Sequence, residues 1–120
     1  MVAADAPIGA GVALIALSHV EAATALSDGA LINTSASVDH NYMLDPFSSF
    51  APGVVTGGSV HLWTRSGLCL RARVAQRCSI RSVTMVHAGS LALNDLPADV
   101  LAYGSLVQVI RDRDAHEPDL

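Results

Sequence analysis

A repeat of six residues is the feature that most constrains how this chain can fold. In steps of six from Ile8, thirteen of fifteen positions hold Leu, Ile, Val or Phe, although these types fill 34 of 120 positions and chance would give about four. The series is Ile8, Leu14, Val20, Leu26, Ile32, Val38, Leu44, Phe50, Thr56, Leu62, Leu68, Val74, Ile80, Val86 and Ala92.

A second series begins two residues earlier and holds small or β-branched residues at every position except Tyr42. Residues two apart on an extended strand point to the same side, so each hexad offers one large and one small side chain to a shared interior. The series is Ala6, Val12, Ser18, Thr24, Ala30, Ala36, Tyr42, Ser48, Val54, Val60, Ser66, Ala72, Cys78, Thr84 and Ser90.

No helix explains a period of six, whereas a hexapeptide β-helix does. Fifteen hexads at three per turn predict five triangular coils of 18 residues, stacked about 5 Å apart. Stacking buries an aliphatic column that a single coil leaves exposed. The alternative is an α-helical protein whose aliphatic residues fall at this spacing by accident.

The repeat also predicts the domain organisation. We expect hexads over residues 6–92 and a closing segment over 93–111, which together form one β-helix domain, 1–111. The apolar stretch from Val100 to Ile110 should cover the last coil or pack on a neighbour. The charged residues 112–120 are expected to form a flexible tail.

Composition excludes several classes of protein. A net charge of -4, with seven arginines and no lysine, argues against a nucleic-acid binder. The apolar run from Ile8 to Leu17 is too short to span a bilayer. Cys69 and Cys78 do not make a disulfide framework. We therefore expect a cytoplasmic protein that binds neither nucleic acid nor membrane.

Three segments resemble one family. The run from Leu31 to Asn41, with Asn33-Thr34 followed by Asp39-His40, is similar to the Asn-Thr…acidic-His signature of the sugar O- and N-acyltransferases. This family includes the sialic-acid O-acetyltransferases and the UDP-4-amino-sugar N-acetyltransferases. The run 47–53 resembles the family's Phe-x-His-x-Ala-Pro-Gly, with serine in place of histidine. Residues 94–111 resemble its closing segment.

The resemblance implies a left-handed parallel β-helix that assembles as a homotrimer. It also implies acetyl-CoA as co-substrate, bound in a groove between two subunits, without a metal. The acceptor would be an amino or hydroxyl group of a small molecule, a nucleotide-linked amino sugar. Relatives usually carry an N-terminal nucleotide-sugar-binding domain of Rossmann-like form, for which we expect no counterpart here.

The resemblance also implies roles for single residues. His40 falls on the family's catalytic base, and a histidine suits this task because it titrates near neutral pH. Asn41 takes the place of an acidic residue that orients the base, and Asn33 matches an asparagine near the acceptor. Ser49 replaces a histidine at the thioester end of CoA. Backbone around Gly58, Leu70 and Ala88 is expected to hold the pantetheine.

Two other functions stay open. The family often has glycine where this chain has large side chains, which would narrow the groove and leave a non-catalytic β-helical trimer, a pseudoenzyme or assembly module. Zinc hydratases also use this fold but need three converging histidines. Here His40 and His61 share one side, whereas His19 and His87 lie on another. The large residues at glycine positions are Trp63, Arg65, Cys69, Arg71, Arg77, Arg81 and His87.

Overall fold

The computed structural model describes residues 2, 7–21 and 24–117, which form a left-handed parallel β-helix of about five coils. The predicted fold is confirmed. No helix in these ranges is long and apolar enough to cross a membrane. The strands of the coils are β1 Ala13–Leu14, β2 His19–Val20, β3 Ala25–Leu26, β4 Leu31–Ile32, β5 Ser37–Val38, β6 Met43–Leu44, β7 Ser49–Phe50, β8 Val55–Thr56, β9 His61–Leu62, β10 Gly67–Leu68, β11 Arg73–Val74, β12 Ser79–Ile80, β13 Met85–Val86 and β14 Leu91–Ala92.

Three parallel sheets form the sides of the prism. Sheet A contains β2, β5, β8, β11 and β14, sheet B contains β3, β6, β9 and β12, and sheet C begins with β1, β4, β7, β10 and β13. Each strand residue pairs with the residue 18 positions further on, as Leu31 pairs with Ser49 and Ser49 with Gly67. This register gives the predicted coil length.

Both predicted columns form the core. From Val20 to Ala92 every residue of the large series is buried, and from Ser18 to Ser90 so is every residue of the small series. Tyr42, the large exception in the small column, is also buried, and its ring meets Phe50 edge-on with the ring centroids 5.5 Å apart. Alternation of inward and outward residues therefore follows the pattern in the sequence.

The first hexads depart from this pattern. Ile8 was expected in the interior but is 44% exposed, and Leu14 is only partly buried. Among the described residues, Ile8 bridges only to Leu26, so its side chain has a coil on one side alone. Ala6, the predicted first member of the small series, lies outside the described residues.

Between sheets the chain turns through four-residue corners whose third residue has a positive φ and whose fourth enters the small column. Glycine adopts positive φ most easily, yet most of these positions hold other residues. Corner AB joins sheets A and B and includes 39–42, 57–60 and 75–78. Corner BC includes 27–30, 45–48, 63–66 and 81–84. Corner CA includes 15–18, 33–36, 51–54, 69–72 and 87–90.

Hydrogen bonds between coils hold these strained corners. The third residue's N–H donates to the second residue's carbonyl in the previous coil, as Ser59 does to His40 (2.9 Å) and Arg71 to Pro52 (3.0 Å). The same bond is repeated at arginine and glycine corners alike. Large side chains at Arg65, Arg71 and Arg77 therefore leave the corner backbone unchanged in shape.

An antiparallel hairpin closes the prism after residue 92. Strand β15 Val100–Gly104 pairs with β13 and so extends sheet C, and β16 Val107–Asp112 pairs with β15. Beyond the hairpin, the buried Arg113 donates its backbone N–H to the Asp99 carbonyl, and Arg111 pairs with Glu117. The predicted domain boundaries and flexible tail stay predictions.

Candidate active site

His40 stands at the second position of corner AB, where its side chain is 61% exposed. Asp39 fixes it, because one carboxylate oxygen, Oδ1, accepts both the backbone N–H of His40 (2.7 Å) and ring Nδ1 (3.0 Å). The backbone carbonyl of Asp39 in turn accepts the hydroxyl of Thr24 at 2.8 Å. Since a carboxylate only accepts, the ring proton belongs on Nδ1, and Nε2 keeps its lone pair.

The Asp39 carboxylate is ionised in this arrangement. Hydrogen bonds from the side chain and then the backbone of His40 lower the pKa of Asp39 below its ordinary value of 3.8. An ionised carboxylate at this position stabilises a positive charge on the imidazole. The pair therefore has the chemistry of an oriented general base.

Gly58 lies directly behind the imidazole, one coil above His40. A Cβ atom on Gly58 would come within 2.6 Å of Nδ1 and 3.0 Å of Nε2. No side chain fits at this position while the ring stays where it is. Gly58 was predicted to contact the cofactor, and the structure shows that it backs the ring of His40.

Asn41, predicted to orient the base, occupies the third corner position with a φ of 54°. Among the described residues it makes no hydrogen bond to the imidazole. Asp39 makes that bond instead. The sequence shows that Asp39 precedes His40, but it does not show where the Asp39 side chain points. That direction depends on the backbone φ at the corner.

Asn33 and Ser49 meet in a cavity of about 140 Å³ on the outer face of sheet C. Asn33 Oδ1 accepts the N–H of Thr34 at 2.7 Å, so this side chain also supports its own corner. The cavity is lined by Leu31, Asn33, Ser49, Phe50, Ala51, Leu68, Cys69 and Met85.

The open space beside Ser49 depends on Gly67, its partner in the next coil. A Cβ on Gly67 would lie 2.7 Å from Met85 Cε and 3.0 Å from the hydroxyl oxygen of Ser49. Gly67 and Met85 were not predicted as site residues, and Cys69 was predicted only as a large side chain at a glycine position of the groove. A coil of 18 residues, counted from Ser49 and Ala51, points to all three.

Leu70 and Ala88 stand one above the other at the second position of corner CA. Leu70 is 51% exposed, and Ala88 packs against the buried cluster of Cys69, Met85 and Leu101. These two predicted residues therefore continue upward from the cavity of Asn33 and Ser49.

The predicted site residues form two groups on different sides of the prism. Asn33, Ser49, Leu70 and Ala88 belong to sheet C and corner CA, whereas His40, Asn41 and Gly58 belong to corner AB. The width of sheet A separates the groups. One copy of the chain does not bring His40 to the cavity of Ser49.

Several bulky residues expected to fill the groove belong to a separate cluster at corner BC and sheet B. Arg81 lies over the Trp63 ring at 4.4 Å, and His61 stacks on that ring with centroids 4.5 Å apart. Arg65 lies over Phe47 at 5.8 Å. Arg65 and Arg81 thus each rest on an aromatic ring of the coil below.

His61 also faces a carboxylate, since its buried Nε2 lies 3.0 Å from Asp45 Oδ1, without the geometry of a hydrogen bond. Within the described ranges there is no group of three or more His, Cys, Asp or Glu side chains that could hold a metal ion. Cys69 and Cys78 are buried thiols, not halves of a disulfide, and burial raises the pKa of Cys78.

Comparison with known proteins finds no matching family model and no matching curated protein. Among solved structures, PerB from Caulobacter crescentus, in complex with CoA and GDP-perosamine, is 34% identical with a TM-score of 0.89 over 90% of this chain. The acetyltransferase domain of PglB from Neisseria gonorrhoeae FA1090, in complex with acetyl coenzyme A, is 27% identical with a TM-score of 0.85 over 91% of this chain.

The chain spans 52% of the PerB chain and 53% of the PglB chain, about half the length of each. A maltose O-acetyltransferase from Clostridium difficile 630 is 13% identical with a TM-score of 0.59, a likeness in fold alone. The resemblance to the hexapeptide-repeat sugar acyltransferases, first carried by the segment from Leu31 to Asn41, is confirmed.

Proposed function

We propose that this chain is an acetyltransferase that moves the acetyl group of acetyl-CoA to an amino or hydroxyl group of a nucleotide-linked amino sugar. The observation that carries the proposal is the imidazole of His40, bound by Asp39 through Nδ1 with Nε2 left to accept a proton. Likeness to PerB, solved with CoA and GDP-perosamine, supports both substrate classes.

His40 acts as the general base in the proposed reaction. Nε2 accepts the proton of the acceptor as its nitrogen or oxygen attacks the thioester carbonyl. The new C–N or C–O bond forms, the C–S bond breaks, and the proton passes from Nε2 to the departing thiolate. Asp39 stabilises the imidazolium in between, and the transfer is direct, with no acyl-enzyme.

A second copy of the chain completes the site. A cavity of about 140 Å³ is small beside ligand sites, which usually enclose about 300–1,000 Å³. His40 lies on another side of the same prism. We therefore propose a homotrimer in which His40 of one copy faces the cavity of its neighbour, where Ser49 donates to the thioester oxygen and Asn33 lies near the acceptor.

The cofactor would follow corner CA upward from Ser49. Exposed Leu70 and half-buried Ala88 offer backbone groups to the pantetheine at successive coils. Asn41, at the exposed third position of corner AB, would face the acceptor side of the same groove. Two buried thiols fit a reducing compartment, so we propose a cytoplasmic location.

The second candidate is a non-catalytic β-helical trimer, favoured by the arginines at positions where relatives have glycine. The corner geometry argues for the enzyme instead, because Arg65 and Arg71 keep the same backbone hydrogen bonds as the glycine corners. Arg65 also points its guanidinium to Phe47 of corner BC, away from corners AB and CA.

Calorimetric titration of acetyl-CoA into the purified protein separates the two candidates. The enzyme should bind at one site per chain and then release free CoA when supplied with GDP-perosamine or another nucleotide-linked amino sugar. His116→Ala, in the exposed end of the chain, is a matched histidine control that should behave as the original chain. Absence of saturable binding at millimolar acetyl-CoA would overturn the proposal in favour of the non-catalytic trimer.

A further inference from the structure

A cavity lies at corner BC, on the opposite edge of sheet C from the proposed path of the cofactor. It measures about 280 Å³, close to the smallest ligand sites at about 300 Å³. Its lining residues are Phe47, Arg65, Arg113 and Ala115, so two of the four are cations and none is an acid. Nothing in the proposed transfer reaction accounts for this cavity.

The first wall of the cavity is an arginine held over an aromatic ring. Phe47 and Arg65 occupy the third position of corner BC in successive coils, and the guanidinium carbon of Arg65 lies 5.8 Å from the centroid of the Phe47 ring. In the part of the chain that the structure describes, no carboxylate forms an ion pair with the exposed Arg65. A guanidinium over a ring keeps the N–H donors at its edge available to an anion.

The second wall is Arg113, which follows the closing hairpin. Its backbone N–H donates to the Asp99 carbonyl at 2.7 Å, and the Asp99 N–H donates to the Ser82 carbonyl at 3.0 Å, so the segment after the hairpin lies on corner BC. The Arg113 side chain is 7% exposed and donates from Nη2 to the Glu117 carbonyl at 3.3 Å. A cation that is largely withdrawn from water is less screened, and it attracts an anion in the adjoining cavity more strongly.

Charge around the cavity is positive on balance. The Glu117 carboxylate is bound by Arg111, with Nη2 and Oε2 2.9 Å apart, and does not line the cavity. Asp114 accepts the backbone N–H of His116 at 2.8 Å and does not line the cavity either. Residues 65–81, which include Arg65, hold five arginines and no acid.

Two guanidinium groups on the walls of one cavity suit an anion with oxygens on two centres. Each guanidinium presents a fork of N–H donors that matches the oxygens of one phosphate. A diphosphate offers one phosphate to each arginine. The Phe47 ring is 60% exposed and adds apolar surface beside the group that carries the diphosphate.

The cavity is near the transfer site but separate from it. Phe47 and Arg65 precede Ser49 and Gly67 by two residues each, which corresponds to about 7 Å along the strands. Acetyl-CoA also contains a diphosphate, but its proposed path follows corner CA on the other edge of sheet C. A diphosphate at corner BC therefore belongs to another molecule.

We propose that Arg65 and Arg113 bind the diphosphate group of a nucleoside diphosphate at corner BC, separately from acetyl-CoA. The site does not depend on the proposed transferase activity, because none of its residues belongs to the groove of the base and the cofactor. The diphosphate has two possible sources, the nucleotide-linked acceptor and a free nucleotide. Both sources present the same chemistry to the two arginines, and the test separates them.

The test titrates GDP and inorganic pyrophosphate into the full chain by calorimetry. Both should bind saturably, and both should bind more weakly as salt is added. Arg65→Gln should weaken both by about 10- to 100-fold, the range for loss of a hydrogen bond to a charged group. The same substitution should leave the affinity for acetyl-CoA unchanged.

Matched variants sharpen the result. Arg73→Gln makes the same change of charge at an exposed arginine of sheet A and should bind GDP as the original chain does. Phe47→Leu removes the ring beneath the guanidinium and should weaken GDP by about 2- to 5-fold, the loss of an exposed cation–π contact. If Arg65→Gln does not fold, Arg65→Lys keeps the charge without the fork and should still weaken GDP. Thermal unfolding checks that each variant is folded.

Kinetics with GDP-perosamine as acceptor identify the source of the diphosphate. A higher KM in Arg65→Gln with an unchanged kcat assigns the site to the acceptor. An unchanged KM together with weaker binding of GDP assigns it to a free nucleotide. Either result supports a diphosphate site at corner BC.

Three results would overturn the site. The original chain might bind neither GDP nor pyrophosphate, or Arg65→Gln might bind them as tightly as the original chain does. Equal weakening of acetyl-CoA and GDP in Arg65→Gln would assign the arginines to the cofactor. The transferase proposal fails by a different result, absence of acetyl-CoA binding, which leaves the binding of GDP at corner BC as an independent measurement.

Discussion

Two histidines of this protein each lie 3.0 Å from an aspartate, but their surroundings differ. His40 uses Nδ1 toward its sequence neighbour Asp39, and its side chain is 61% exposed. His61 uses Nε2 toward Asp45 in the coil below, and its side chain is 30% exposed. The first pair leaves the reactive nitrogen open, whereas the second encloses it.

The support behind each ring differs in the same way. His40 lies against Gly58, which adds no side chain and leaves the outer edge of the imidazole accessible. His61 lies flat on Trp63, whose other contacts are Arg81 and a 2.7 Å hydrogen bond to Ser79. A histidine beside a carboxylate therefore indicates a base only where the free nitrogen faces outward.

The largest expected effect on the transfer rate comes from replacing each of the two histidines by alanine in turn. His40→Ala should lower acetyl transfer by about 10²- to 10⁴-fold, the usual contribution of a general base, with little change in thermal stability. His61→Ala should leave the rate within a few-fold and cost about 1 kcal/mol of stability through the lost stacking on Trp63. CoA release and thermal unfolding measure the two effects.

The opposite outcome would break this comparison. Equal losses of rate in the two variants would show that His40 contributes no more to the transfer reaction than His61 does. If His40→Ala did not fold, His40 would be needed for stability, which is the role expected of His61.

The next effect is smaller and comes from Gly58→Ala. The new Cβ would displace the His40 ring, and a misplacement of about 1 Å at a reacting group costs roughly 10²-fold in rate. The structure gives Gly58 no positive φ, so the substitution adds no backbone strain. CoA release measures the activity of Gly58→Ala, and urea unfolding measures its stability. A loss of activity with unchanged stability identifies a displaced ring and not a damaged fold.

Gly11→Ala is the matched control. Gly11 has open space around its Cα but a φ of 69°, so alanine there should cost about 1 kcal/mol of stability through backbone strain and leave the rate unchanged. If Gly58→Ala transfers acetyl groups as fast as the original chain, the close approach behind His40 has no catalytic importance.

The smallest effect concerns the acid of the exposed pair. Since His40 lowers the pKa of Asp39 below 3.8, Asp39 adds stability at neutral pH that is lost as the pH falls below 3.8 and through the lowered value. The contribution is small because the side chain is 41% exposed. NMR titration of the Asp39 carboxyl carbon should give a value below 3.8, and His40→Ala should return it toward 3.8.

This titration also has a clear negative result. An Asp39 carboxyl that titrates at the same pH with and without the His40 ring would mean that the 3.0 Å contact does not persist in solution. His40 would then resemble an ordinary exposed histidine, and the distinction from His61 would lose its basis.

Most of the fold was predictable because the repeat encodes it at every step. Residues such as Val38 and Ala36 alternate with outward ones, and burial follows from that alternation alone. His40 was recognised from the motif around it. The roles of Asp39 and Gly58 were not, since a corner residue's direction depends on its φ and on the coil above.

The sequence by itself determined the coil length and the two interior columns, because alternation along a strand is a local property. The prediction of His40 as the base came from the resemblance of its segment to a family motif. Only the tertiary structure decided which outward residues meet. Contacts such as Ser49 with Gly67, Gly58 with His40 and Tyr103 with His87 join residues of neighbouring coils, and they exist only in the stacked register of the whole prism. Local pattern sets which way a side chain faces, and stacking sets what it touches.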